Sequence, residues 1–100
     1  LVDNLGGYME AGARMKETGT THWNDPNNAT NESGFAALPG GYRYYVDGSF
    51  SSLGNYTEIW SASENNSSLA MMRELEYSNP GVSQVGYSKQ NGISVRCLKD

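Results

Sequence analysis

A chain of one hundred residues with 37% hydrophobic residues, rich in Gly, Ser, Asn and Thr, makes one domain or part of one, with a thin core. The net charge of −4, with no basic patch, excludes nucleic acid as the expected partner. No apolar run approaches the roughly 20 residues of a membrane span, so no membrane insertion is expected in this segment.

Leu1 to Tyr8 reads as the end of a helix, with Leu1, Val2 and Leu5 on one face and Gly6-Gly7 as the stop. No charged n-region precedes it, so any export signal is expected upstream. Ala11 to Gly19 is mixed, with Met15 and Lys16 as core and rim. Thr18 to Gly41 is loop, dominated by Asn, Asp, Thr, Gly and Pro, with Trp23, Phe35 and Leu38 as its expected anchors. A loop this long in a compact domain is functional or heavily tied down.

Tyr42 to Val46 has strand composition, and Asp47-Gly48 is a turn signal. Tyr56 to Ser63, Val82 to Tyr87 and Ile93 to Leu98 read as further strands, the last two joined through the hairpin signal Asn91-Gly92. Leu69 to Tyr77 is ambiguous. Its Leu, Ala, Met, Arg and Glu favour a helix that Ser67 or Ser68 could cap, whereas the turn Ser78-Asn79-Pro80-Gly81 favours a hairpin.

Catalytic chemistry is weakly signalled. Cys97 cannot form an internal disulfide, and its alternation with Val95 predicts a buried structural thiol. His22 reads as a loop residue that hydrogen-bonds locally, and no strained Gly-x-Ser-x-Gly elbow occurs. The chain is therefore expected not to be an enzyme. Asn24, Asp25, Asn27, Asn28, Asn31 and Glu32 form an oxygen-rich run suited to calcium, but the spacing is not that of an EF-hand and such residues also close turns without metal. No cofactor is expected, with calcium as the variant. Tyr42, Tyr44 and Tyr77 are expected in the core or its rim, and Tyr87 on the surface.

Three blocks are distinctive together: Lys16-Glu17-Thr18-Gly19-Thr20-Thr21-His22-Trp23-Asn24; Ala29-Thr30-Asn31-Glu32-Ser33-Gly34-Phe35 with Leu38-Pro39-Gly40-Gly41-Tyr42-Arg43; and Trp60-Ser61, Ser63-Glu64 and Gly92-Ile93-Ser94-Val95-Arg96-Cys97-Leu98-Lys99-Asp100. The chain resembles the Fibrobacter succinogenes major paralogous domain family. The resemblance implies an α+β, C-type-lectin-like fold, with short antiparallel strands, long loops and a helix at the N-terminal end. That fold is shared with formylglycine-generating enzymes and with variable proteins of diversity-generating retroelements. The enzymes need reactive cysteines or copper, so nothing catalytic carries over to a chain with Cys97 alone.

The same resemblance implies a strand for the ambiguous segment, with Ala70, Arg73, Leu75 and Tyr77 as scaffold. The positions between them are where family members differ. It implies a ligand-binding set of Thr57, Glu58, Ile59, Met71, Met72, Glu74, Glu76, Ser83, Val85, Tyr87 and Ile93, within stretches that also include Gln84, Gly86 and Ser88. Met72, Glu74 and Glu76 alternate onto one side of a strand. Family members begin with a Cys-Pro-x-Gly-Trp-His segment and a first helix that this sequence does not contain, so residues 1–100 are expected to be the C-terminal portion of a single domain. The expected function is recognition of a protein or glycan at a bacterial or phage surface, outside the cell. The alternative is a structural surface or pilus-associated subunit that self-associates and has no external ligand.

Overall fold

The computed structural model of the protein describes residues 1–97. Its architecture is small antiparallel sheets with little helix. A 3-10 turn at Asp3–Leu5 precedes helix α1 (Ala11–Met15), followed by strands β1 (Tyr42–Arg43), β2 (Phe50–Ser51), β3 (Tyr56–Glu64), β4 (Leu69–Glu76) and β5 (Val82–Ser88). β1 and β2 form a two-stranded hairpin, and β3, β4 and β5 form a three-stranded antiparallel meander.

The expected N-terminal helix end is a single 3-10 turn, and Gly6 closes it in the left-handed region at φ 96°. Helix α1 is only five residues long, because Gly12 lowers its propensity and so short a helix is marginal alone. The long loop completes it. The last carbonyls of a helix have no partner within it. Here Thr30 N donates to Ala13 O (2.7 Å), Ser33 N to Arg14 O (3.0 Å) and Ala37 N to Met15 O (2.8 Å). A segment with almost no secondary structure is thus fixed by the bonds that the helix lacks.

Trp23 and Phe35 are buried anchors of that loop, joining Ala11, Met15, Ala37, Leu75 and Val82 in the core. Trp23 Nε1 donates to Ala37 O (2.9 Å). Leu38 is not an anchor, since half of it is exposed. Its neighbour Ala37 takes the inward position by bridging to Lys16, which turns Leu38 outward. Lys16, expected at the rim, is wholly buried.

The strand expected over Tyr42 to Val46 is limited to Tyr42–Arg43. Tyr44 O accepts from Gly48 N, and Asp47 Oδ1 accepts from Ser49 N, closing the turn early. The strand expected over Ile93 to Leu98 does not form among the described residues, and Leu98 lies outside them. Asn91 is buried instead of forming a hairpin tip, and its Oδ1 accepts from Tyr45 N (3.1 Å). Gly92 exchanges two backbone bonds with Arg43, and Ser94 O accepts from Trp60 N (3.1 Å). Bridging different strands in turn, the segment never builds a ladder. Its expected inward face is therefore uncovered: Val95 and Cys97 are both exposed, which corrects the reading of Cys97 as a buried thiol.

Candidate ligand-binding face

Leu69–Glu76 is a strand, which decides between its helical composition and its hairpin context in favour of the latter. Its register sets the faces of the sheet. Partners opposite each other in an antiparallel pair point to the same side, and successive residues alternate. Thr57, Leu75 and Val82 form one row, and Ile59, Arg73 and Gln84 another. Leu75, Val82 and Ile59 belong to the core, so these rows face inward. The intervening rows face outward: Tyr56 with Glu76, then Glu58, Glu74 and Ser83, then Trp60, Met72 and Val85, then Ala70 with Tyr87.

Seven residues expected in the site share this outward face: Glu58, Met72, Glu74, Glu76, Ser83, Val85 and Tyr87. Thr57 and Ile59 point to the core, because three consecutive strand residues cannot share a face. Met71 sits opposite Gly86 on the inward side, and Ile93 is half-buried between two isolated bridges. Alternation from Glu58 adds Tyr56, opposite Glu76, which lies outside the expected set although period two signals it.

The face is partly roofed. Gly41 bridges Thr57, which lays Tyr42 along the outer side of β3. Tyr42 stands beside the outer edge of β3, whereas Tyr87 belongs to β5 on the far side of β4. Yet their rings meet edge to face with centroids 5.8 Å apart. The two tyrosines lean inward from opposite edges. Beneath them Met72 is 2% exposed and Glu58 is 4% exposed, although neither belongs to the main core. Met72 was expected on an open surface, and Tyr87 is half-buried. Burial, the hydrogen bond with Tyr42 and the nearby Tyr42 and Glu58 push the Tyr87 hydroxyl up to about 12.

Beneath this roof two acids stand directly opposite each other. Burial, the charge of Glu74 and a hydrogen bond to Glu74 push Glu58 up to about 7. Glu74 is also raised, mainly by burial, with the hydrogen bond from Glu58 opposing. Tyr56 is raised, first by the charge of Glu76. Glu58 Oε2 is fully enclosed with no hydrogen-bond partner among the described residues.

The other candidate groups lie elsewhere. His22 Nδ1 is 2.7 Å from Glu17 Oε2, the local contact expected of it. The oxygen-rich run closes the loop. Asn28 Oδ1 accepts from Lys16, Asn31 Oδ1 from Ala36 N and Asn27 Oδ1 from Ala29 N, while Asn24 donates to Asn55. No group of three His, Cys, Asp or Glu side chains is arranged to hold a metal among the described residues.

No curated protein and no solved structure matches the chain. A family model does, over residues 2–99, which include the outward face and all three distinctive blocks except Asp100. The chain belongs to the Fibrobacter succinogenes major domain family.

Proposed function

We propose that the chain is a ligand-binding module on a C-type-lectin-like fold, displayed at a bacterial cell surface, with the outward face of β3–β5 as its recognition surface. One observation carries this reading. The row of Glu58, Glu74 and Ser83 sets two acids directly opposite each other under a tyrosine roof. Like charges opposite each other cost stability in a sheet, and such breaches of folding rules concentrate at functional sites. Around the roof, Ser83 and Val85 are exposed and Glu74 and Glu76 are half-exposed. The ladder beneath them is held by backbone bonds, so these side chains can be exchanged with the scaffold intact, as in the variable proteins of retroelements. Aromatic, acidic and small polar groups on one face suit a protein or a glycan ligand.

The test is selection of binders from a random displayed-peptide library and a glycan array, followed by challenge with the double variant Ser83→Arg, Val85→Asp. Selected ligands are expected to lose at least about tenfold in affinity at an unchanged thermal midpoint. Ligands indifferent to that change would place recognition on another surface.

A second reading, a structural subunit that binds its own kind, is favoured by a different observation. The β1–β2 region exposes Phe50 (81%), Leu53 (80%) and Val46 (62%). Phe50 and Leu53 line one shallow pocket, and exposed apolar surface marks contact sites. Sedimentation velocity over a hundredfold concentration range tests it, and a chain that stays monomeric throughout removes it.

A further inference from the structure

We infer that the outward face takes an arginine side chain of a partner protein, its guanidinium seated on the Glu58–Glu74 pair under the Tyr42–Tyr87 roof. This rests on the proposed binding face and names the chemistry of its ligand.

Glu58 Oε2 is an acceptor enclosed in protein with no donor among the described residues. A buried carboxylate left in that state is costly. Two groups could relieve it: a proton shared with Glu74, or a donor from outside. The ion pairs among the described residues are Arg14 with Glu10 and Glu32, His22 with Glu17, and Lys89 with Glu64, so no cation among these residues pairs with Glu58 or Glu74. A metal suits the site poorly, since two carboxylates fall short of the six to eight oxygens that calcium takes.

A guanidinium suits it better than an ammonium. Its planar fork spans two carboxylates, it stacks on aromatic faces, and it is weakly hydrated, so burial costs it less. Tyr42, Tyr56 and Tyr87 supply the rings. Glu74 is half-exposed and Ser83 beside it is exposed, so the guanidinium would approach the pair from that side. The net charge of −4 draws a basic partner.

Only ionised Glu58 can accept the cation without expelling a proton. Glu74 and Glu76 on β4 and Tyr56 on β3 face it, with Tyr42, Tyr44 and Tyr87 around the roof. Tyr56 and Tyr87 are both raised, so they stay neutral near pH 7 and Glu58 sets the response. Glu58 titrates near 7, and its ionised fraction rises about tenfold from pH 6 to pH 8.

The experiment titrates the whole chain, carrying 13C-labelled glutamate, with acetyl-Gly-Arg-Gly-amide at pH 6 and pH 8, against the neutral isostere with citrulline. Saturable shifts at the Glu58 and Glu74 carboxyl carbons are expected. Affinity should be about tenfold tighter at pH 8, the citrulline peptide should not bind, and Glu58→Gln should abolish the effect. Should Glu58→Gln not fold, Glu74→Gln is expected to weaken binding likewise. No saturable shift, or equal binding of both peptides, overturns the proposal and leaves a carboxyl pair that only shares a proton. That result is separate from failure of the binding face, since library-selected ligands sensitive to Ser83 and Val85 would still map there.

Discussion

Lys16 donates from its ammonium to the backbone carbonyl of Glu76 at 2.7 Å, joining residues 60 positions apart. The same Nζ donates to Asn79 O (3.1 Å) and Asn28 Oδ1 (3.0 Å) and lies 5.4 Å from the Trp23 ring centroid. One buried cation therefore links the end of α1, the long loop and the turn between β4 and β5. Burial pulls Lys16 down to about 8, with the charge of Glu76 opposing. Its three donors are matched by three acceptors, so it stays charged at neutral pH. Lys16→Met leaves those acceptors unpaired and is expected to cost about 3 kcal/mol, read from urea unfolding. A loss below 0.5 kcal/mol, on the order of a neutral surface change, would show that the link carries no stability.

Glu58 makes stability depend on pH. Its folded pKa is raised from 4.5 to about 7, so the folded chain holds the proton more tightly than the unfolded chain. The contribution is fully present below about 4.5 and is lost as pH rises through 7. Each pKa unit is worth about 1.4 kcal/mol, and water at half-exposed Glu74 screens part of it, so the loss is on the order of 2 kcal/mol. Chemical denaturation at pH 5 and pH 8 measures this, and Glu58→Gln is expected to flatten the difference.

The tyrosine roof is expected to control that titration. In Tyr87→Ala, water reaches Glu58 and its pKa should fall toward the ordinary carboxylate range, followed by carboxyl 13C shifts. If Glu58 titrates unchanged without Tyr87, the roof does not shield it.

Helix α1 lies directly against the β4–β5 turn, where Ala13 N donates to Pro80 O (2.9 Å). A Cβ on Gly12 would fall 2.1 Å from the Gly81 carbonyl oxygen. Neither partner is a flexible side chain, so Gly12→Ala, although it favours helix, is expected to destabilise by about 2 kcal/mol or more. Thermal melting decides the sign, and a raised midpoint would contradict the close approach.

Cys97 is exposed. A thiol reagent such as DTNB should therefore modify the folded chain without prior unfolding, as fast as it modifies the chain in denaturant. Protection that disappears only on unfolding would restore the buried-thiol expectation.

Legibility tracked the range of the forces involved. β3 and β5 were readable because β-branched and aromatic residues recur between turn residues, and the buried anchors Trp23 and Phe35 were readable as large apolar groups in a polar loop. Leu69–Glu76 was not, since its Met, Arg, Leu and Glu favour a helix when alone. Pairing along both edges overrode that preference. Met72, Glu74 and Glu76 followed from alternation, whereas Thr57 and Ile59 were grouped with Glu58 against the same alternation. Asn91-Gly92 misled because a turn signal says where a chain bends, not which strand it then meets.

By itself the sequence determined the family and the alternation that puts Met72, Glu74 and Glu76 on one side of β4. These depend on residue type and on spacing within a few positions. Tertiary structure alone decided that Lys16 is buried, that Cys97 and Leu38 are exposed, and that Tyr42 meets Tyr87 above the buried Glu58. Each depends on which distant backbone lies alongside, a relationship set by hydrogen-bond register and by donors that find their acceptors up to 63 residues away.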